Sequence, residues 1–240
     1  MGKLKKQVLK MFAKDKKIIL KVKNLTVKLD KEEIIKNLSF EVKEGQVLTI
    51  LGPNGAGKTV LLKTLLGILP YNGKIEWKIN VKIGYVPQRV PFVKQIPISV
   101  REFFLLKTTK EEAEKILDKI GFEKRILEKR LGDLSSGQFQ RILVAWALVK
   151  NPNILLFDEP MTGIDVKGKE TIYSLLLKLK KERNLTILLV THDLNIVFKI
   201  SDYVICLNKY CMCRGPPIKN VTPKTLQKLY GSKIKFYAHK

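Results

Sequence analysis

Gly52-Pro53-Asn54-Gly55-Ala56-Gly57-Lys58-Thr59 sets glycines, a lysine and a hydroxyl in the spacing of a phosphate-gripping loop, G-x-x-x-x-G-K-[ST]. Glycines let backbone N–H groups curl around phosphate oxygens with no Cβ in the way. Lys58 would then reach the β- and γ-phosphates of a nucleoside triphosphate, and the Thr59 hydroxyl would sit on Mg²⁺. About a hundred residues on, Ile154-Leu155-Leu156-Phe157 runs into Asp158-Glu159. Side chains alternate along a strand, so the two carboxylates are expected to point different ways and to do different work. Asp158 is placed to hold the cation and Glu159 to polarise an attacking water. Between these motifs, Leu134-Ser135-Ser136-Gly137-Gln138 opens an apolar helical stretch. A hydroxyl and free N–H groups at a helix start can hold an anion, although an ordinary N-cap reads the same way.

These groups need a frame that brings them together. Val47-Leu48-Thr49-Ile50-Leu51 reads as a buried strand before the loop, and Leu61-Leu62-Lys63-Thr64-Leu65-Leu66 has helical spacing after it. Residues 18–22, 25–29 and 34–42 have β texture, as do 74–77 and 82–86 further on. A helical stretch covers roughly 99–149. Strands at 153–157, 186–190 and 203–207 then alternate with helices at 166–182 and 194–200. That order predicts an α/β fold with a mostly parallel sheet, an N-terminal antiparallel β subdomain and an inserted helical lobe at about 88–150. A tail spans 208–240 and a basic N-terminal extension spans 1–17.

The 240-residue chain carries a formal net charge of +24. Its lysines are scattered and few aromatics lie among them, so the stacking-plus-phosphate pattern of single-strand binders is weak and no specific nucleic acid is expected. Residues 1–17 hold seven lysines and one acid, with Leu4, Val8, Met11 and Phe12 at helical spacing. This reads as a solvated tail before it reads as a lipid-binding helix. The longest dense apolar run, 142–149, is far short of the roughly 18 residues of a membrane span. The basic start shows no apolar core of a secretory signal, and three cysteines are an odd number; both suggest reduced thiols in the cytoplasm.

In order along the chain come the phosphate loop, Gln88 in Tyr85-Val86-Pro87-Gln88, the segment 134–138, Asp158-Glu159-Pro160, Gly163-Ile164-Asp165 and Thr191-His192-Asp193. This series resembles the nucleotide-binding subunits of ABC transporters, over about 18 to 231. The resemblance implies a P-loop NTPase core, with 18–240 as one ABC ATPase domain. It implies ATP and Mg²⁺ as cofactors and two copies facing head to tail around two ATP molecules. Gly52, Pro53, Asn54, Gly55, Ala56, Gly57, Lys58, Thr59 and Val60 would hold the nucleotide in one copy. Ser135, Ser136, Gly137 and Gln138 would meet the γ-phosphate bound to the other. Asp165 would lie in a loop crossing between copies. Catalysis would fall to Glu159, His192 and Gln88, with His192 as the switch that orients Glu159. Thr59, Gln88 and Asp158 would hold Mg²⁺.

Three positions depart from the family pattern. Ser136 replaces a glycine, Leu29 stands where an aromatic usually stacks on adenine, and Val60 replaces a second hydroxyl. Ile96-Pro97-Ile98-Ser99-Val100-Arg101-Glu102, followed by Phe103, Phe104, Leu105 and Leu106, resembles the surface on which importers dock a membrane subunit. Gly215-Pro216-Pro217, Thr222-Pro223 and Leu229-Tyr230-Gly231 resemble the ending of ATPases from zinc and manganese uptake systems. Multi-span permease subunits and an extracytoplasmic binding protein would then be partners, with this chain peripheral on the cytoplasmic face of the membrane. A different importer, an exporter, or a soluble ABC ATPase working on ribosomes or nucleic acid is the alternative. Cys211 and Cys213 would share one strand face, which with Cys206 is a weak basis for a metal site.

Overall fold

Apolar runs four to six residues long, rich in Leu, Ile and Val, form strands buried on both faces, as parallel sheets require. The computed structural model describes residues 17–88, 97–159 and 166–231, without the side chains of 166–169. The chain begins with a long hairpin, β1 (Ile18–Leu29) and β2 (Glu32–Lys43), followed by β3 (Val47–Leu51). The gap expected near residue 23 is absent. β1 is one strand, kinked where the register slips and Asn24 takes a φ of 50°. Helix α1 (Lys58–Leu65) follows the phosphate loop, and then come β4 (Asn72–Trp77) and β5 (Ile83–Val86).

The expected helical stretch is divided into α2 (Val100–Leu105), α3 (Lys110–Lys119), two 3-10 turns (Lys124–Glu128 and Leu131–Asp133) and α4 (Ser136–Leu148). Caps explain the breaks. Ser99 with Glu102 and Ser135 with Gln138 form reciprocal capping boxes, and the Thr109 side chain accepts from the Glu112 N–H. The alternation resumes with β6 (Ile154–Asp158), α5 (Val166–Arg183), β7 (Thr186–Thr191), α6 (Leu194–Ile200) and β8 (Tyr203–Asn208). The hairpin strand β9 (Tyr210–Gly215) and helices α7 (Pro217–Asn220) and α8 (Pro223–Tyr230) complete it. Thr222 caps α8, with Pro223 at its first position.

Two sheets result: an antiparallel β2-β1-β4 and a six-stranded β5-β6-β7-β3-β8-β9, parallel except for β9. Alternation divides the core. Leu48, Ile50, Leu156 and Val190 pack with α1 toward the antiparallel sheet. Val47, Leu155, Phe157 and Leu189 pack on the other side with α4, α5 and residues of α2 and α3. Leu51, Val204 and Cys206 join α6 and α8 in a third cluster.

The cysteines depart from the expected free thiols. Cys206 and Cys213 are opposite one another on β8 and β9 and form a disulfide, while Cys211 is free. Nor do Cys211 and Cys213 share a face. The register slips between their partners Leu207 and Cys206, so Cys211 packs on the α1 side and Cys213 on the α8 side.

Candidate functional site

The phosphate loop leaves β3 at its C-terminal end and enters α1 through Gly57, whose φ is 90°. No side chain caps that helix, so its first-turn N–H groups are open to a ligand. Glycine is required at two points. A Cβ on Gly52 would lie 2.2 Å from the Leu207 carbonyl oxygen, and one on Gly57 would lie 3.1 Å from Ile34. On the outer rim, a Cβ on Gly55 would meet nothing within 4 Å, leaving room for a phosphate chain.

Sheet order then brings remote residues to the loop. Lys58 is 5% exposed, and its Nζ donates to the carbonyls of Gly52 (2.9 Å) and Pro53 (2.8 Å) and pairs with Glu159 Oε1 at 2.9 Å. Thr59 Oγ1 donates to Asp158 Oδ1 at 3.0 Å. Glu159 has a φ of 40°, a left-handed backbone that a residue with a Cβ adopts at a cost, and its N–H is tied to the Val190 carbonyl. Strand alternation alone would separate the two carboxylates. The turn at Glu159 brings its side chain back to the loop, so Asp158 meets Thr59 and Glu159 meets Lys58. Glu159 Oε2 also accepts from Gln88 Nε2 at 3.1 Å and lies 3.2 Å from His192 Nδ1. The imidazole is half exposed and the carboxylate is buried.

Asp158 is almost wholly buried, and its pKa is raised above the ordinary carboxylate value. Burial is the main cause; the Glu159 charge adds to it, while the Thr59 hydrogen bond and Lys58 oppose it. A buried carboxylate beside a hydroxyl is an oxygen donor set suited to a small hard cation, so the site fits Mg²⁺. Tyr85, part of a sequence motif but given no task there, lies 3.5 Å from Asp158 Oδ2 through its hydroxyl. Burial, with Asp158 nearby, pushes its pKa up to about 12. Adjacency of β5 and β6 makes this contact, which local sequence does not signal.

The segment 134–138 starts α4, and the Ser135 hydroxyl accepts from the Gln138 N–H at 3.2 Å. Ser135 and Ser136 are exposed and are not joined to the Lys58–Glu159 group within this chain. Asp165 lies outside the described residues. Val60 is partly buried on α1, and Leu29 ends β1 beside the Asp30–Lys31 turn. A separate cavity of about 630 Å³ lies at the opposite end of the sheet, lined in part by Ile19, Asn153, Arg183 and Thr186, and includes none of these residues. Among the described residues, no group of His, Cys, Asp and Glu is placed to hold a transported metal.

The profile of the ABC transporter family matches residues 35–162, from β2 through the phosphate loop to the two carboxylates. The chain belongs to the ABC transporter family. It is an ATP-binding, ATP-hydrolysing subunit of that kind, and its fold is the ABC ATPase fold. An ATP-binding protein of Thermotoga maritima, named for a metal transport system, is 41% identical over 223 residues, covering 88% of this chain and 90% of its own. The zinc import ATP-binding protein ZnuC of Buchnera aphidicola (subsp. Schizaphis graminum) is 40% identical over 202 residues, covering 83% and 84%. Among solved structures, an inward-facing form assigned to a metal-chelate type ABC transporter superposes with a TM-score of 0.80 at 29% identity, covering 89% of each chain. Among the described residues of this ABC ATPase, no helix is long and apolar enough to cross a membrane.

Proposed function

We propose that this chain powers uptake of a divalent metal ion, zinc or manganese, as the ATPase of an ABC importer. It would work as a head-to-tail pair on the cytoplasmic face of the membrane. The observation that carries the hydrolytic part is the single knot of Lys58, Gln88 and His192 around the Glu159 carboxylate. Relatives named for zinc import and for a metal transport system support the cargo.

In this reading Lys58 leaves Glu159 for the β- and γ-phosphates of ATP. Thr59, Asp158 and Gln88 would hold Mg²⁺, which when bound neutralises charge on the phosphates. Glu159, freed from Lys58 and still oriented by His192, takes a proton from the water that attacks the γ-phosphorus; the bond to the β-phosphate oxygen breaks and ADP is the leaving group. Ser135, Ser136, Gly137, Gln138 and Asp165 complete the site from the second copy. Loss of the γ-phosphate removes the link between copies and lets them part. The permease docks on the helical side of the chain, where Leu105 and Leu106 are 51% and 76% exposed while Phe104 is wholly buried. Apolar side chains left in solvent beside a buried one suit a partner surface.

Two measurements test this. Glu159→Gln should keep ATP binding and lose turnover by about a hundredfold or more; normal hydrolysis would remove Glu159 as the base. Affinity capture of that variant from its native membranes should bring down a multi-span membrane protein and an extracytoplasmic metal-binding protein. Ribosomal proteins or nucleic acid in their place would sink the importer reading.

A further inference from the structure

The Cys206–Cys213 disulfide is called for neither by the fold nor by the chemistry of the ATP site. The chain has a large apolar core and needs no staple. The bond spans only 7 positions of a single hairpin, and the entropy a cross-link removes from the unfolded chain is least for short loops. A chain that consumes ATP also works where ATP is held, and thiols are kept reduced there; disulfides in such a compartment are typically transient and redox-sensing.

Position joins this disulfide to the phosphate loop. Cys206 is the register partner of Leu51, the residue before Gly52. Leu207 supplies the carbonyl oxygen that would lie 2.2 Å from a Cβ on Gly52, so β8 is the wall against which the loop turns. β9 is the edge strand beyond that wall, and its register slips between the Cys206–Cys213 pair and the Leu207–Cys211 pair. A bulge interrupts the ladder, and this one falls at the residue that touches the loop. The disulfide crosses the two strands there, within the apolar cluster that also holds Leu51 and α8. Cys206 is wholly buried and Cys213 partly exposed, so an incoming thiol meets Cys213. Cys211 does not compete, because it packs on the α1 side and burial raises its thiol pKa.

We propose that Cys206–Cys213 is a reversible thiol–disulfide switch on the phosphate loop, reduced by a low-molecular-weight thiol and re-formed by the corresponding disulfide. In reduction, the small thiolate attacks Cys213 Sγ, the S–S bond breaks, and its electron pair leaves on Cys206 Sγ, which takes up a proton. A second small thiolate then attacks the small-molecule sulfur of the mixed disulfide. Cys213 leaves as a thiolate and is protonated, and one small disulfide is released for the two thiols consumed. With the bond closed, β9 holds Leu207 against Gly52 and the loop keeps its shape for phosphate. With the bond open, only the interrupted ladder holds the edge strand, and the wall relaxes. The switch uses ATP binding at the loop and depends on neither the cargo nor Glu159.

The test equilibrates the full chain, without denaturant, in glutathione buffers of rising thiol-to-disulfide ratio. Alkylation with mass spectrometry reads the thiols, and titration with a non-hydrolysable ATP analogue reads affinity. Cys206 and Cys213 should convert together and reversibly while the chain stays folded by circular dichroism. The dithiol form should bind the analogue about two- to tenfold more weakly, the worth of one backbone hydrogen bond in the loop. Cys213→Ser should bind like the dithiol form at every ratio, and Cys211→Ser should respond as wild type does. A bond that resists glutathione until the chain unfolds is a structural staple and overturns the proposal. So do equal affinities in the two forms, and so does a chain that keeps all three thiols free in buffers rich in oxidised glutathione.

Discussion

The buried pair between Lys58 and Glu159 makes a prediction that separates stability from turnover. Both side chains are nine-tenths or more removed from solvent, and the Lys58 ammonium rests on two carbonyls and one carboxylate oxygen. Deleting one partner of such a pair costs about 3–5 kcal/mol, because the surviving charge stays buried and uncompensated. Glu159→Gln is milder. The amide keeps an oxygen for Lys58 and the two carbonyls remain, so a loss of about 2–3 kcal/mol is expected. For a domain of this size that lowers the melting temperature by roughly 5–10 °C. Bound ATP should reverse the loss, since phosphate oxygens give Lys58 a new anionic partner. Wild type must break the Lys58–Glu159 pair to bind ATP, and the variant has less to break. Its ATP affinity should therefore be about tenfold or more tighter, and its nucleotide-induced rise in melting temperature larger. Calorimetric melting with and without Mg²⁺-ATP reads both. A variant that melts with wild type when nucleotide-free, and gains the same from ATP, would show that the pair carries no net energy and that Lys58 is held by the carbonyls alone.

Other expectations follow from the same geometry. Asp158 has a raised pKa in the fold, so its contribution to stability is present below the ordinary carboxylate range and is lost as pH rises through the raised value. Asp158→Asn should remove that slope, leave the nucleotide-free protein at least as stable at neutral pH, and abolish Mg²⁺-dependent hydrolysis; melting across pH 3 to 8 reads the sign, on the order of the window in which carboxylates titrate. Gly52→Ala drives a Cβ to 2.2 Å from the Leu207 carbonyl oxygen. Backbone must shift, at about 1–3 kcal/mol, and ATP binding by titration should be lost with it; wild-type affinity would show that the loop tolerates the shift. Leu29→Tyr should tighten ATP binding by about two- to tenfold, the worth of an aromatic face, and unchanged affinity would place adenine elsewhere.

Much of the site is legible in the chain because its parts are local. The phosphate loop needs only a strand, glycines able to take positive φ, and a helix start, and all three lie within about twenty consecutive residues. The Ser135–Gln138 cap, the Ser99–Glu102 cap and the Thr222-Pro223 helix start are local affairs of the same kind, each closed between a residue and the one three further on. The strand ending in Asp158-Glu159 is as plain, since burial on both faces leaves a run of apolar residues stopped by charge. Partners are less legible. Thr59 and Asp158 are 99 positions apart, and they meet because β6 and β3 flank β7 in the sheet. The contact of Tyr85 with Asp158 depends likewise on which elements adjoin.

The amino-acid sequence by itself determined which residues can bind phosphate and which strand, glycines and helix start hold them, because glycine conformation, capping and alternation act over a few residues. Only the tertiary structure decided that Glu159 turns back through a left-handed backbone to meet Lys58, that a slip in β9 parts Cys211 from Cys213, and that the Tyr85 hydroxyl meets Asp158. Those outcomes depend on strand order and on packing between distant segments. Alternation and helical period carry no information about either.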